Sequence, residues 1–255
     1  MKKNLNSLER CKNYRKKILH LSQKVSALHI GGSFSSVEII DAIFNNLKKK
    51  NDKFILSKGH AGILQYVVLN DHGLISDKTL FNYCTKDGIL GVHPDYGNPG
   101  IEASTGSLGH GLAIAAGLAY SDKKKDIYVL LSDGELQEGS VWEASLLISS
   151  LKINNIVIVI DNNGLQSSTW AKDTHPTLNP IQKKFSSFGW DSKTCNGHKS
   201  LEIINKIKQR SKKKPFALIA NTYKGYPISF MKNHPIWHYR SPTKKEYLKA
   251  LKELG

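Results

Sequence analysis

An α/β fold, with a parallel sheet flanked by helices, is what this sequence predicts, and three observations carry that reading. Two short β-branched and aliphatic runs, 127–131 and 156–160, bracket a segment, 139–152, whose apolar residues recur at helical spacing. A right-handed crossover turns such a strand, helix and strand into parallel neighbours. Further apolar runs at 54–56 and 216–220 are continuous rather than alternating, as expected of strands covered on both faces. Strands interleaved with helices then extend one sheet.

In chain order, the first helix is expected over 7–28. Gly31 and Gly32 supply a permissive break before a second helix over 36–47. Strand 54–56 delivers Lys58 and His60 to its end. The stretch 108–120 is rich in Gly and Ala, which allows a helix to pack closely, chiefly into the core. After strand 216–220 comes Asn221-Thr222-Tyr223-Lys224-Gly225, and 226–242 reads as a substrate-facing loop. No internal repeat, low-complexity linker or second domain is visible, so one domain is expected over 1–255.

The chemistry concentrates where the two central strands end. An Asp-Gly turn follows the first and an Asn-Asn turn the second, so Asp133 and Asn163 emerge side by side, roughly 5 Å apart if the strands are adjacent. Open α/β sheets hold ligands at such carboxyl ends. A carboxylate, an amide oxygen and a backbone carbonyl are hard donors suited to Mg²⁺ or Ca²⁺, with phosphate oxygens and water completing the shell. Gly134 lets the backbone approach a phosphate. Either dipeptide alone is a common turn. The pair in this setting is far more specific.

The pair resembles the thiamine-diphosphate fingerprint, Gly-Asp-Gly followed at an interval by Asn-Asn. Asp-Gly-Glu-Leu-Gln-Glu-Gly with Trp-Glu-Ala is similar to the transketolase branch of that superfamily. Leu28-His29-Ile30-Gly31-Gly32-Ser33, Ser57-Lys58-Gly59-His60, Gly91-Val92-His93-Pro94, Thr105-Gly106-Ser107-Leu108-Gly109 and Trp237-His238 match in the family's order. Ser132 replaces the first glycine of the fingerprint, and Ile30 stands where proline is common.

The resemblance implies a thiamine-diphosphate-binding fold, specifically its diphosphate-binding domain, and a set of roles. Asp133, Asn163 and the Leu165 carbonyl would hold Mg²⁺ or Ca²⁺. Gly134, Lys58 and Lys224 would lie near the diphosphate, and Gly106, Ser107 and Leu108 would face the aminopyrimidine. His29, His60, His93 and His238 would line the channel above the thiazolium, bonding sugar hydroxyls and passing protons. Glu138, ordinarily just favourable to a helix dipole, would sit at a subunit contact and pair with a catalytic glutamate of the other half. His20, His72, His175, His198 and His234 lack a motif match, and His110 has no assigned role.

Full-length members of the family add pyrimidine-binding and C-terminal domains that 255 residues do not accommodate. The resemblance is therefore to the N-terminal subunit of a split transketolase. It implies ketol transfer between a ketose phosphate and an aldose phosphate, with a separate C-terminal subunit, in a hetero-oligomer such as a heterotetramer. Another thiamine-diphosphate reaction, deoxyxylulose-phosphate synthase-like or ketoacid-decarboxylating, is the alternative. The four histidines and Leu-Gln-Glu-Gly favour ketol transfer.

Composition sets the remaining bounds. No apolar stretch approaches the eighteen or so residues that span a bilayer. The basic N-terminus leads into Glu9 and Arg10 rather than an apolar segment, so the cytoplasm is expected. Cys11, Cys84 and Cys195 form neither a metal pattern nor a disulfide framework. A formal charge of +16 and a pI of about 9.6 raise nucleic-acid binding as a non-enzymatic alternative. The basic clusters are mostly lysine, at 12–17, 48–50, 123–125 and 212–214, without interleaved aromatics, so a solvated surface is expected instead. Salt-sensitive nucleic-acid binding unaffected by Asp133→Ala would distinguish that alternative.

Overall fold

The structure, a computed structural model, describes residues 5–255. The central sheet draws on five strands: β1 (Lys53–Leu56), β2 (Ile127–Ser132), β3 (Ile156–Asn162) and, beyond the small antiparallel hairpin of β4 (Leu165–Gln166) and β5 (Thr169–Trp170), β6 (Asp191–Asn196) and β7 (Phe216–Asn221). The spatial order is β1-β2-β3-β7-β6, and every neighbouring pair in that sheet is parallel. This is the α/β sheet expected from the sequence.

The continuous apolar runs serve two cores. Ile55, Val129, Ile158 and Ile219 face α6 (Gly111–Ser121), α7 (Gly139–Ser150) and α9 (Ile181–Ser187), reached in chain order after α1 (Ser7–Ser22), α2 (Ile30–Ser35), α3 (Val37–Ala42), α4 (Gly62–Asp71), α5 (Asp77–Phe81) and, before α9, the short α8 (Ala171–Thr174). Phe54, Tyr128, Val157 and Leu218 point the opposite way, into a core with α1, α3, α4 and α10 (Ser200–Lys208). The last helix, α11 (Lys244–Leu254), packs on α1. Alternate residues thus enter opposite cores, and both layers are held by apolar burial worth about 2–5 kcal/mol for each large side chain truncated to alanine.

The crossovers place the helices. From β2 to β3 the chain steps one way and lays α7 on one face; from β6 back to β7 it steps the other way and lays α10 on the opposite face. Right-handed connections require that reversal. The crevice at the strands' carboxyl ends lies where the direction changes.

Three local expectations are corrected, and in one of them Gly31 and Gly32 form no break but lie inside α2, with the helix expected over 36–47 divided into α3 and a π-helical stretch at Ile43–Leu47. The first helix, capped by reciprocal Asn6–Glu9 bonds, ends at Ser22 rather than 28. Beyond it Leu28 is fully buried and the chain must turn to present His29 at the start of α2. The segment 226–242 is not all loop: Pro235–His238 forms a 3₁₀ turn that buries Trp237 and presents His238. Strand β6 has no counterpart in the sequence reading.

Candidate functional site

The β2–β3 pairing runs in register from Ile127 opposite Ile156 to Ser132 opposite Asp161, so the two following turns adjoin. Asp133 ties them together. Its Oδ1 accepts the Gly134 N–H at 2.9 Å, and its Oδ2 accepts the Gly164 N–H, from the far turn, at 2.6 Å. Asn163 Oδ1 accepts the Leu165 N–H at 3.0 Å, while its amide donates to Asp161 at 3.2 Å. Asp133 and Asn163 therefore occupy adjacent turns, the geometry that the strand–helix–strand spacing calls for.

The Asp133 carboxyl is buried and no side-chain cation touches it among the described residues. Its pKa is pushed up to about 7, first by burial and then by the Asp161 charge, against the pull of the two backbone N–H groups and Lys58. A buried carboxyl in that state is stabilised by a cation. The donors to hand are its lone pairs, the Asn163 amide and the Leu165 carbonyl, all hard oxygens. Among the described residues no cluster of three His, Cys, Asp or Glu could hold a metal. An ion here would need oxygens from a ligand, as a diphosphate provides.

Those turns form one wall of a cavity of about 380 Å³. Gly134, Glu138, Asn163 and Leu165 line it, together with Gly106, Leu108, Lys224 and the four histidines His29, His60, His93 and His238. The rings cluster around His29, with centroids 5.5 Å from His60, 6.2 Å from His93 and 5.0 Å from His238. Burial is the first cause that lowers three of them, His29 to about 4, His238 to about 3 and His60 well below its ordinary value; Lys58 and Lys224 reinforce it. These imidazoles are neutral at pH 7, each with one donor and one acceptor nitrogen. His29 Nδ1 is buried with no hydrogen-bond partner, an open polar atom at the cavity.

Close backbone packing makes room for this. A Cβ on Gly31 would lie 2.8 Å from the Trp237 carbonyl and 2.9 Å from Lys224 Cγ, so only glycine lets α2 approach the segment carrying His238. Gly106 adopts φ +128°, with the His93 ring 2.7 Å from where a Cβ would be. Glu138 is exposed at the rim, and its carboxylate makes no hydrogen bond among the described residues. Lys224 is buried, its Nζ 3.0 Å from His238 Nδ1 and donating to the Ser167 carbonyl at 3.1 Å; burial draws its pKa down to about 8.

Two expected residues are placed differently. Lys58 lies beneath the cavity floor, with its ammonium 2.5 Å from Asp161 and donating to the Gly32 carbonyl and Ser36 hydroxyl, so any pull on a diphosphate acts through the floor. Ser107 is exposed and does not line the cavity.

Sequence reasoning missed two buried carboxylates. Asp161 collects Lys58, Ser35, Ser36, Thr222 and Asn163 at the end of β3, and these hold its pKa below the ordinary value despite full burial. Glu135 accepts from Ser57 at 2.5 Å, the Gly109 N–H at 3.0 Å and the Ser132 N–H at 3.3 Å, joining three cavity segments. The Ser132 hydroxyl accepts the Glu135 N–H at 3.2 Å, so the departure from glycine at 132 adds a side-chain acceptor to this turn. The signal for Glu135 was its place in the Asp-Gly-Glu turn; Asp161 stood one residue before the Asn-Asn turn.

Relatives agree with this architecture. The chain is 37% identical over 262 residues to a subunit of the apulose-4-phosphate transketolase of Actinobacillus succinogenes, covering 96% of this chain and 95% of that protein. It is 30% identical to a 6-deoxy-6-sulfo-D-fructose transketolase subunit of a Clostridium species, over 94% of this chain and 93% of that one. Among solved structures, a transketolase from Campylobacter jejuni superposes with a TM-score of 0.89 at 27% identity, covering 99% of this chain and 43% of that one. The chain thus spans less than half of that solved enzyme and nearly all of the two single-subunit relatives. Residues 12–255 match the family described as transketolase, thiamine diphosphate binding domain, and with the Asp133–Asn163 turns and the histidine cluster in one cavity, the chain belongs to the transketolase family through that domain.

Proposed function

We propose that this chain is the diphosphate-binding subunit of a two-chain transketolase, which moves a two-carbon ketol unit from a ketose phosphate to an aldose phosphate. The observation that carries this reading is the meeting of the Asp133 and Asn163 turns with the four histidines His29, His60, His93 and His238 in one cavity. Support for a second chain comes from the Actinobacillus relative, which is named as one subunit of its enzyme and is matched over nearly its whole length. Three free thiols, Cys11, Cys84 and Cys195, accord with a cytoplasmic setting, and no helix among the described residues is long and apolar enough to cross a membrane.

Asp133, Asn163 and the Leu165 carbonyl would hold Mg²⁺, with Ca²⁺ as the other fitting ion. Thiamine diphosphate, when bound, supplies the nucleophilic carbon and the electron sink. The protein supplies the rest. Gly134 permits close approach of a phosphate, and Lys224 places a point charge at the cavity wall. Gly106 and Leu108 offer backbone to the aminopyrimidine. His29, His60, His93 and His238 orient hydroxyls and take or return protons, which requires the neutral form found for His29, His60 and His238. Glu138, exposed and unbonded at the rim, is positioned to meet a carboxyl group from the partner chain.

Mixing this chain with the candidate C-terminal subunit, thiamine diphosphate and Mg²⁺ tests the proposal. Each chain alone should be silent and the mixture active, and Asp133→Ala should abolish calorimetric uptake of the cofactor. Ketol transfer by this chain alone would refute the two-chain reading.

A further inference from the structure

His198, which matches no motif, sits behind the cofactor cavity rather than in it. It follows β6, and its ring stacks on Tyr226 with centroids 3.8 Å apart. Its Nε2 accepts the Tyr223 backbone N–H at 2.9 Å, and its Nδ1 lies 3.3 Å from Glu38 Oε2. A nitrogen that accepts cannot carry the proton, so the proton is on Nδ1 and faces the carboxylate. Glu38 is gripped by two nitrogens of Arg15, at 2.6 and 2.7 Å. Arg15 also donates to the Tyr226 carbonyl at 3.1 Å and the Phe34 carbonyl at 3.0 Å. Arg15 is 3% exposed and Glu38 7%, so the charges are almost wholly removed from water.

The attachments converge on two short segments. Tyr223 and Tyr226 flank Lys224, and Phe34 lies in α2, whose Gly31 carbonyl accepts the Gly225 N–H at 3.0 Å. Lys224 projects the other way, to the cavity wall beside Ser167 and His238. We infer that Arg15, Glu38 and His198 form a buried clamp that fixes the 223–226 turn and thereby holds the Lys224 ammonium where the diphosphate binds. They are positioning residues, and the inference rests on the reading of Lys224 given above. Apolar side chains could fill the same volume. They could not supply bonds of fixed direction to the Tyr223 N–H and Tyr226 carbonyl of the turn that carries Lys224, nor to the Phe34 carbonyl of α2 that packs against it.

The test uses the reconstituted two-chain complex with Mg²⁺. His198→Ala is expected to weaken thiamine-diphosphate binding about tenfold by calorimetry, the scale of one directed hydrogen bond, while kcat at saturating cofactor stays within about twofold. His198→Gln, whose side-chain oxygen can accept from Tyr223, should recover most of the affinity. Exchange of the Tyr223 amide should accelerate in His198→Ala and not in His198→Gln. In a Lys224→Ala background the His198→Ala effect on affinity should shrink to less than about twofold, because the side chain being positioned is gone. Should His198→Ala fail to fold, His198→Phe keeps the stack on Tyr226 and accepts no bond. Unchanged affinity in the loss variant, or the same tenfold loss without Lys224, would overturn the clamp alone. Absence of cofactor uptake by the unmutated complex would overturn the clamp and the proposed function together.

Discussion

Stripping the site of divalent ions should expose the cost of Asp133. In the unfolded chain its carboxyl ionises near 3.8, and in the folded chain near 7, because burial and the Asp161 charge oppose ionisation. Between those values the folded state binds the extra proton, so stability falls as pH rises from about 4 to about 7. At about 1.4 kcal/mol per pH unit the interval is worth roughly 4 kcal/mol, undiminished by solvent because the group is fully enclosed. The measurement is the difference in unfolding free energy between chelator-treated wild type and Asp133→Ala, by urea titration from pH 4 to 8. That difference should move by about 4 kcal/mol in the variant's favour across the range, since titration of the other groups largely cancels between the two proteins. With Mg²⁺ and thiamine diphosphate present the wild type should regain the loss at pH 8. A difference that stays constant within about 1 kcal/mol would mean that Asp133 is already ionised without a cation, and its burial would no longer call for a metal.

Other perturbations follow from the same structure. His29 and His238 have folded values near 4 and 3 against 6.5 unfolded, so they resist protons that the unfolded chain takes up, and their contribution to stability is lost as pH falls from about 7 to 4; His29→Asn should lessen that acid sensitivity in urea titrations. Lys58→Met leaves Asp161 buried without its cation and should cost about 3–5 kcal/mol, with much of the loss recovered in Lys58→Met/Asp161→Asn, as read by thermal unfolding. Ile158→Ala, in the central strand and fully buried, should cost about 2–5 kcal/mol in the same assay. Thr243→Ala removes one side of the capping box on α11 and should cost about 1 kcal/mol, leaving the cofactor affinity unchanged.

What the sequence made legible, and what it hid, has a physical pattern. Strands β2 and β3 announce themselves because both faces are buried and their runs 127–131 and 156–160 are unbroken by a charged residue, with Ser132 and Asp161 only at their carboxyl ends. Strand β6, Asp-Ser-Lys-Thr-Cys-Asn, lies at the sheet edge with mostly half-exposed side chains, so neither alternation nor an apolar run marks it. The Asp133 and Asn163 turns were legible because their partners are set by one local unit. Asp161 was not, because Ser35, Ser36, Lys58 and Thr222 come from three distant segments and meet only when the fold closes. His198 was hidden for the same reason: its partners Glu38 and Tyr223 lie on other elements, and its own neighbours in sequence form no motif.

The cavity's electrostatics reconcile two demands that conflict in isolation. Holding a diphosphate calls for positive charge, whereas general acid–base work calls for imidazoles free to accept a proton. Lys58 and Lys224 lie below and beside the cavity, and their charges help keep His29, His60 and His238 unprotonated before a ligand arrives. The anionic groups are treated in opposite ways: Asp161 is neutralised by Lys58, while Asp133 is left without a side-chain cation and with its ionisation suppressed. Glu135 is also raised by burial without a side-chain cation, but Ser57 and two backbone N–H groups occupy its oxygens, so the place that calls for positive charge is beside Asp133, where a divalent ion would supply it. Burial ranks first among the causes acting on the three histidines, so they should stay below their ordinary values even when an anionic ligand offsets the lysines. The site can then change its charge on loading without giving up the neutral imidazoles that the proposed ketol transfer calls for.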